Sequence, residues 1–188
     1  MNTPDRLPPI DPAAWTEAQR GCADEIIAGP RGALISPFVP LLRSPELCTH
    51  AQRMGEYLRY RSAIGLRLSE LAILVTASHW DQQVEWSIHV PIALREGIAE
   101  SVITAIAEQR TPMFARADER IVCAVSQQSL QHKRVDDTTW AAACAQLGEQ
   151  GVVDLTGIVG YYTMLSIVMN AAQTPPPPQC RQRLPARG

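Results

Sequence analysis

The residues best suited to acid–base chemistry lie between Glu70 and His89, in the stretch ELAILVTASHWDQQVEWSIH. An acid opens the stretch, an apolar run follows, and polar side chains crowd its end. If residues 82–89 are helical, Gln82, Glu85 and His89 stand at i, i+3 and i+7 and share one face. A carboxylate one turn from an imidazole can hold it and raise its pKa. The spacing therefore predicts an acid–base pair of Glu85 and His89.

Other roles are open to the same side chains. Glu70 also suits the first turn of a helix, where an acid complements the helix dipole. His79, Asp81, Glu85 and His89 could be considered as metal ligands, but their spacing matches no standard ligand signature. We therefore predict no metal. The sequence also contains no GxGxxG motif and no P-loop, so no cofactor is predicted.

Two segments must position these side chains. The apolar run 71–77 fits a buried strand or a buried helix by its length. No second segment offers a comparable strand for pairing, so a helix is predicted. The next helix is predicted over 82–95, with a kink near Pro91 because proline removes a backbone hydrogen bond. Such a kink would open space beside His89, and Gly97 is a suitable stop for the helix.

The rest of the chain repeats the helical pattern. Asp11-Pro12 and Ser44-Pro45 combine a capping residue with proline at the first helical position. Apolar residues at helical spacing follow both starts and recur after about residues 100, 115, 138 and 155, with a stop at Gly148. Residues 30–43 contain three prolines and read as an ordered loop over the core, with Pro37-Phe38 as a conceivable pocket lining. The pattern predicts an all-α fold.

Composition sets the remaining limits. The chain has 188 residues, 46% of them hydrophobic, which suits one domain with a proper core. Its net charge of −2 and the lack of a basic run predict no nucleic-acid or membrane partner. The N-terminus is polar and rich in proline, unlike a signal peptide. Five cysteines without a C-x-x-C pair suit reduced thiols, so a cytoplasmic location is expected.

The order of Glu70, Gln82, Glu85 and His89 resembles the carboxymuconolactone decarboxylase superfamily, which includes the AhpD-type alkylhydroperoxidases. Its redox members carry a Glu, then C-x-x-C, then a His four residues after the second Cys. Here Glu70 and His89 match, whereas Gln82 and Glu85 occupy the places of the two cysteines. The segment RLSEL around Glu70 and the segment from Leu155 add to the likeness.

The resemblance covers roughly residues 35 to 175 and implies an AhpD-like helical bundle. It suggests a division into an N-terminal helical extension (1–34), a carboxymuconolactone decarboxylase-like domain (35–173) and a proline-rich tail (174–188). We expect the tail to project or to be disordered, because it has little to bury. The resemblance also implies a homo-oligomer, either a dimer or an assembly built on trimers, with pockets near the subunit contacts.

The activity implied by the resemblance is the decarboxylation of a small lactone carboxylate in aromatic-compound breakdown. No organic cofactor is needed, because the conjugated lactone can delocalise the electrons left by carbon dioxide. In this reading His89 is the acid, Glu85 its partner and Glu70 a second proton-handling group. The substrate-binding residues would be Arg67, Gln82, Trp86 and Tyr162.

Two alternatives belong to other classes. The first is an alkylhydroperoxidase-like antioxidant protein, although without C-x-x-C no hydroperoxidase activity of that type is expected. The second is a non-catalytic, oligomeric binding protein. The second alternative would be favoured if Glu85 and His89 were sealed from solvent with no cavity beside them.

Overall fold

A computed structural model describes residues 4–186, which form eight α-helices and no strand, so the predicted all-α class is confirmed. The helices are α1 (Glu17–Ala28), α2 (Phe38–Leu41), α3 (Pro45–Tyr60), α4 (Gly65–His79), α5 (Gln83–Arg95), α6 (Glu100–Ala107), α7 (Ala117–His132) and α8 (Asp137–Ala172).

The predicted first helix is divided in two. Asp11 accepts a hydrogen bond from the Ala13 amide and starts only a 3₁₀ turn. The chain is extended at Trp15, and α1 then begins with a capping box between Thr16 and Gln19. The sequence signal at Asp11 was a true cap, but the second cap five residues later starts the longer helix.

The centre of the fold is α4, which packs against α5, α7 and α8. Every residue from Leu68 to Ser78 is buried. A helix covered on all sides is apolar all round, so it shows no periodicity that would separate it from a strand. The helix predicted for this run is confirmed.

A tight turn joins α4 to α5 and lays them side by side. Asp81 adopts a left-handed conformation with φ of 51°, and the Gln82 amide donates to the Ala77 carbonyl. Gln82 caps α5, since its side chain accepts from the Val84 amide. The helix then continues from Gln83 to Arg95 through Pro91. This hairpin turns residues of α4 and α5 toward each other.

The last helix, α8, contains one break. Gly148 has φ of 71° and ψ of 164°, a conformation that glycine adopts without strain and other residues avoid. The predicted stop at Gly148 therefore corresponds to a real interruption. By length and composition alone α8 could cross a membrane, and 56% of its apolar window is buried within the protein.

The described part of the tail, residues 174–186, differs from the expected projecting segment. The Gln83 side chain donates to the Leu184 carbonyl and accepts from the Leu184 amide, which fixes the tail against α5. Proline content made the tail look unable to bury anything, yet Leu184 is buried, and its neighbours Arg183 and Pro185 line a groove together with residues of α5 and α6.

Candidate active site

Three titratable side chains meet in the core between α4 and α5. His89 Nδ1 lies 2.6 Å from Glu70 Oε2, and His89 Nε2 lies 3.2 Å from Glu85 Oε2. Each of the three residues is at most 3% exposed. The structure thus brings together the three residues that the sequence singled out for catalysis, with both ring nitrogens of the histidine engaged.

Two opposing effects set the protonation of His89. Burial alone would lower its pKa, because it disfavours the charged ring. The charge and hydrogen bond of Glu70, followed by those of Glu85, outweigh burial and raise the pKa of His89 to about 9. At neutral pH the ring is therefore an imidazolium that donates one N–H to each carboxylate.

Arg59 of α3 adds a second positive charge. Its Nε lies 3.6 Å from Glu70 Oε1, within ion-pair distance but too far for a hydrogen bond. The formal charges of Glu70, Glu85, His89 and Arg59 sum to zero. Such neutrality matters because an uncompensated charge in the protein interior is strongly destabilising.

A small cavity adjoins Glu85 and His89. Its volume is about 20 Å³, enough for one water molecule. Besides those two residues it is lined by Arg31, Ile35, Pro37, Phe38, Arg59, Ile88, Tyr161, Tyr162 and Leu165. The segment 31–38 forms one wall, and the Arg31 guanidinium stacks over the Phe38 ring at 4.8 Å. The Pro37-Phe38 stretch therefore does line a pocket.

Several polar atoms around this cavity are buried without a hydrogen-bond partner. They are Arg59 Nε, Tyr161 Oη, Glu85 Oε1 and, just behind the cavity, Glu70 Oε1. Buried polar atoms are nearly always paired, and an unpaired one lowers stability. On the cavity lining this leaves two donors, Arg59 Nε and Tyr161 Oη, and one acceptor, Glu85 Oε1, for a small polar molecule, whereas Glu70 Oε1 lies outside the lining and 3.6 Å from Arg59 Nε.

The two tyrosines of α8 complete the wall. Burial raises the pKa of Tyr161 and of Tyr162 far above the ordinary value, so both keep their protons. The Tyr162 ring packs edge-on against His89, with centroids 5.3 Å apart. Tyr161 occupies space that only a glycine at position 55 leaves free, since a Cβ there would lie 2.2 Å from Tyr161 Oη.

The other three residues predicted to bind substrate lie away from the cavity. Gln82 caps α5 and donates to Asn170 at 2.7 Å. Trp86 faces the tail on the opposite side of α5. Arg67 is paired with Asp118 and Glu119 of α7. Of the four predicted binding residues, the structure places Tyr162 alone beside the acid–base cluster.

Sequence reasoning missed the two arginines of the cavity. Arg59 stands in the last turn of α3, where a basic residue is usually explained by the helix dipole. Arg31 stands in an irregular segment without periodicity. No local signal marks either residue, because both reach the cavity only through the packing of α3 and the segment 31–38 on α4, α5 and α8.

The cysteines fall into two groups. Cys22, Cys48 and Cys123 are buried, whereas Cys144 and Cys180 are half-buried. Folding brings Cys22 and Cys48 together, but burial, followed by their mutual hydrogen bond, raises the pKa of Cys48. A thiol with a raised pKa is a poor nucleophile.

No protein-family model matches this chain, and no curated protein shows significant similarity to it. Within residues 4–186 no group of three His, Cys, Asp or Glu side chains is arranged to hold a metal ion. The likeness to the carboxymuconolactone decarboxylase superfamily therefore stays a prediction made from the spacing of a few residues.

Proposed function

We propose that the chain is a cofactor-independent lyase of the carboxymuconolactone decarboxylase type, acting on a small lactone carboxylate. The observation that supports it best is the linear cluster Glu70–His89–Glu85, which ends at a cavity where donors and acceptors lack partners. A buried carboxylate–imidazole–carboxylate array is suited to holding and moving one proton.

We infer different duties for the three residues. Both His89 nitrogens are occupied, so the imidazolium has no N–H free for a substrate. Glu85 Oε2 contacts His89, while Glu85 Oε1 is unpartnered beside the cavity. Glu85 is thus the group that meets the substrate, and His89 replenishes its proton. Glu70 holds the ring from behind. This order differs from the expected one, in which His89 itself was the acid.

The reaction then needs one proton for each turnover. The bond between the substrate carboxylate and its carbon breaks, carbon dioxide leaves, and the electron pair delocalises into the conjugated lactone as a dienolate. Glu85 is a carboxylate at rest, so His89 first passes its proton to Glu85, and the protonated Glu85 then delivers that proton to the dienolate carbon. A proton from solvent restores the imidazolium, so the net change is loss of carbon dioxide and gain of one hydrogen.

Substrate binding falls to the arginines of the cavity rather than to Arg67. Arg59 Nε is an open donor, and a guanidinium suits a carboxylate. Tyr161 stays protonated and can donate to the lactone carbonyl oxygen, where negative charge develops as carbon dioxide leaves. Arg31 contributes positive charge from the cavity wall formed by segment 31–38.

The cavity, at about 20 Å³, is too small for a lactone. Admission of substrate requires the wall formed by segment 31–38 to move outward, because α4, α5 and α8 are fixed in the core. That wall is the irregular part of the lining, and irregular segments open at a lower free energy than packed helices. Its closure over a bound substrate would exclude water from the dienolate.

Turnover of unsaturated lactone carboxylates, followed by carbon dioxide release, tests the proposal. His89→Gln and Glu85→Gln should each lower the rate by about 10²–10⁴-fold, the usual worth of general acid–base assistance. Met113→Gln, at a position 88% exposed and outside the cavity lining, serves as the matched control and should leave the rate unchanged. Full activity in both site variants would refute the assignment.

A second candidate is a non-catalytic binding protein. It is favoured by the burial of all three cluster residues and by the 20 Å³ volume of the cavity. In that case the charged cluster is structural, and small carboxylates bind without change. Calorimetry with the same lactone carboxylates separates the two: binding that needs Arg59 but yields no carbon dioxide supports the binding protein.

A further inference from the structure

Arg31 differs from the other cations of the cavity lining in its partners. Arg59 lies 3.6 Å from Glu70, and His89 lies between Glu70 and Glu85. By contrast, no carboxylate within residues 4–186 lies at ion-pair distance from Arg31, although its side chain is half-buried. A partly buried positive charge without a counter-ion favours the binding of an anion.

The partner that Arg31 does have is neutral. Arg31 Nη1 donates to Gln52 Oε1 of α3 at 3.4 Å, while the guanidinium stacks over the Phe38 ring of the same wall. Within residues 4–186 this is the only hydrogen bond between segment 31–38 and helices α1, α3, α4, α5 or α8. A length of 3.4 Å is long for a hydrogen bond, and an uncharged acceptor binds a guanidinium less strongly than a carboxylate does.

The Gln52 side chain is held in one orientation. It is 2% exposed, and its Nε2 donates to Glu25 Oε1 of α1. A carboxylate only accepts hydrogen bonds, so the amide nitrogen faces Glu25 and the amide oxygen faces Arg31. Arg53 donates to both oxygens of Glu25, at 2.6 and 2.8 Å, and these bonds lower the pKa of Glu25. Gln52 therefore presents a fixed acceptor to Arg31.

We propose that Arg31 exchanges Gln52 for the carboxylate of the ligand, and that Gln52 is the positioning residue that keeps the empty cavity closed. The inference rests on the proposed carboxylate substrate. A charged acceptor forms the stronger bond, so a carboxylate that enters beside Arg59 draws Arg31 away from Gln52. The bound anion then joins the wall to α3 through the two arginines. A neutral analogue gains no such bond, so the exchange favours anions.

Amide hydrogen exchange measures the opening of the wall without any turnover. The amides of Gly32, Phe38 and Val39 donate to carbonyls within or beside segment 31–38, so their exchange reports its opening. Gln52→Met should raise their exchange by about 2- to 10-fold relative to the amides of α4, the effect of one neutral hydrogen bond. Gln128→Met removes a glutamine that is also hydrogen-bonded, on α7, and should leave these three amides unchanged.

Exchanging the two side chains distinguishes positioning from packing. The double variant Glu25→Gln, Gln52→Glu keeps both shapes and gives Arg31 a carboxylate partner. Its wall amides should exchange more slowly than those of the wild type, because the bond to Arg31 becomes charge-assisted. A packing role alone predicts faster exchange in both variants. Unchanged exchange in Gln52→Met, or faster exchange in the double variant, relative to α4, would overturn the proposal.

Formate and formamide test the selection for anions, since they have similar shapes and differ in charge. Formate should slow the exchange of the wall amides in the wild type, because it joins Arg31 to Arg59, and formamide should not. Arg31→Met should abolish the effect of formate, and the double variant should need more formate for the same effect. Equal effects of formate and formamide, or an effect that survives Arg31→Met, would contradict the exchange of partners.

These measurements and the turnover assay fail separately. A chain that releases no carbon dioxide but shows the formate effect keeps Arg31 as the anion-binding residue and loses only the proposed reaction. A chain that decarboxylates a lactone while its wall amides ignore both Gln52→Met and formate loses the role of Gln52 and keeps the reaction.

Discussion

The charge on His89 should make the stability of this protein fall as pH rises above neutrality. Its pKa in the folded state is about 9, against about 6.5 for an ordinary histidine. A group whose folded pKa is raised contributes stability that is complete below the unfolded pKa and lost as pH rises through the folded pKa. The decisive window is therefore pH 6 to pH 9.

The magnitude follows from the two pKa values. Linkage gives a loss of about 2 kcal/mol of unfolding free energy between pH 6 and pH 8. For a chain of this size that corresponds to a fall of roughly 4–8 °C in Tm. Thiols begin to titrate within this range, since an ordinary cysteine has a pKa of about 8.5, so the profile is read up to pH 8, where most thiols and the phenols of the unfolded chain keep their protons.

Urea denaturation at half-unit pH steps measures this loss directly. The Glu85→Gln variant serves as the comparison, since it removes one of the two carboxylates that raise the pKa of His89. Its stability should depend less on pH over the same range. An NMR titration of the His89 ring gives an independent reading that needs no variant. A midpoint near 6.5, or a flat stability profile in the wild type, would refute the imidazolium between two carboxylates.

Three further results are expected. Gly55→Ala should lower the unfolding free energy by about 1–3 kcal/mol through overpacking against Tyr161, whereas Gly21→Ala, in open space on α1, should leave it equal or higher by denaturant titration. Arg67→Met should lower the stability of the protein, because the ion pairs of Arg67 with α7 are lost, and should leave substrate affinity unchanged. A raised KM with normal stability would instead show that Arg67 binds substrate. The wild type should reduce no hydroperoxide with a thiol donor; turnover that disappears when all five cysteines are changed to serine would show that the buried thiols are reactive.

Local patterns were enough to predict the long helices and the meeting of Glu70, Glu85 and His89, but not the short helix α2, which lies in the segment interpreted as a loop. Glu85 and His89 are one turn apart, so their contact follows from helix geometry alone. Glu70 was expected to come from the preceding helix, and the tight turn at Asp81 lays α4 beside α5 so that it does. The long helix α4 was predicted by excluding a partner strand rather than by its own periodicity, because burial on every side removes that signal.

The cavity and the tail could not be predicted in the same way. Arg59 and Tyr161 reach the cavity from α3 and α8, far apart in sequence, and only tertiary packing puts them together. Arg67 was predicted as an anchor because a guanidinium suits a carboxylate, but the acids that it meets are Asp118 and Glu119 of α7, which the local sequence does not reveal. The tail is held in place by one buried leucine and by the side-chain amide of one glutamine. Amino-acid composition does not reveal contacts made by single residues.

The most direct test of the proposed chemistry is decarboxylation of an unsaturated lactone carboxylate in D₂O, with the product examined by NMR. Proton delivery from Glu85 on one side of the substrate predicts carbon dioxide release with one deuterium added to a single face of the product carbon. Glu85→Gln should lower the rate by about 10²–10⁴-fold. Release of carbon dioxide no faster with the wild type than with Glu85→Gln, or deuterium on both faces of the product, would contradict the mechanism.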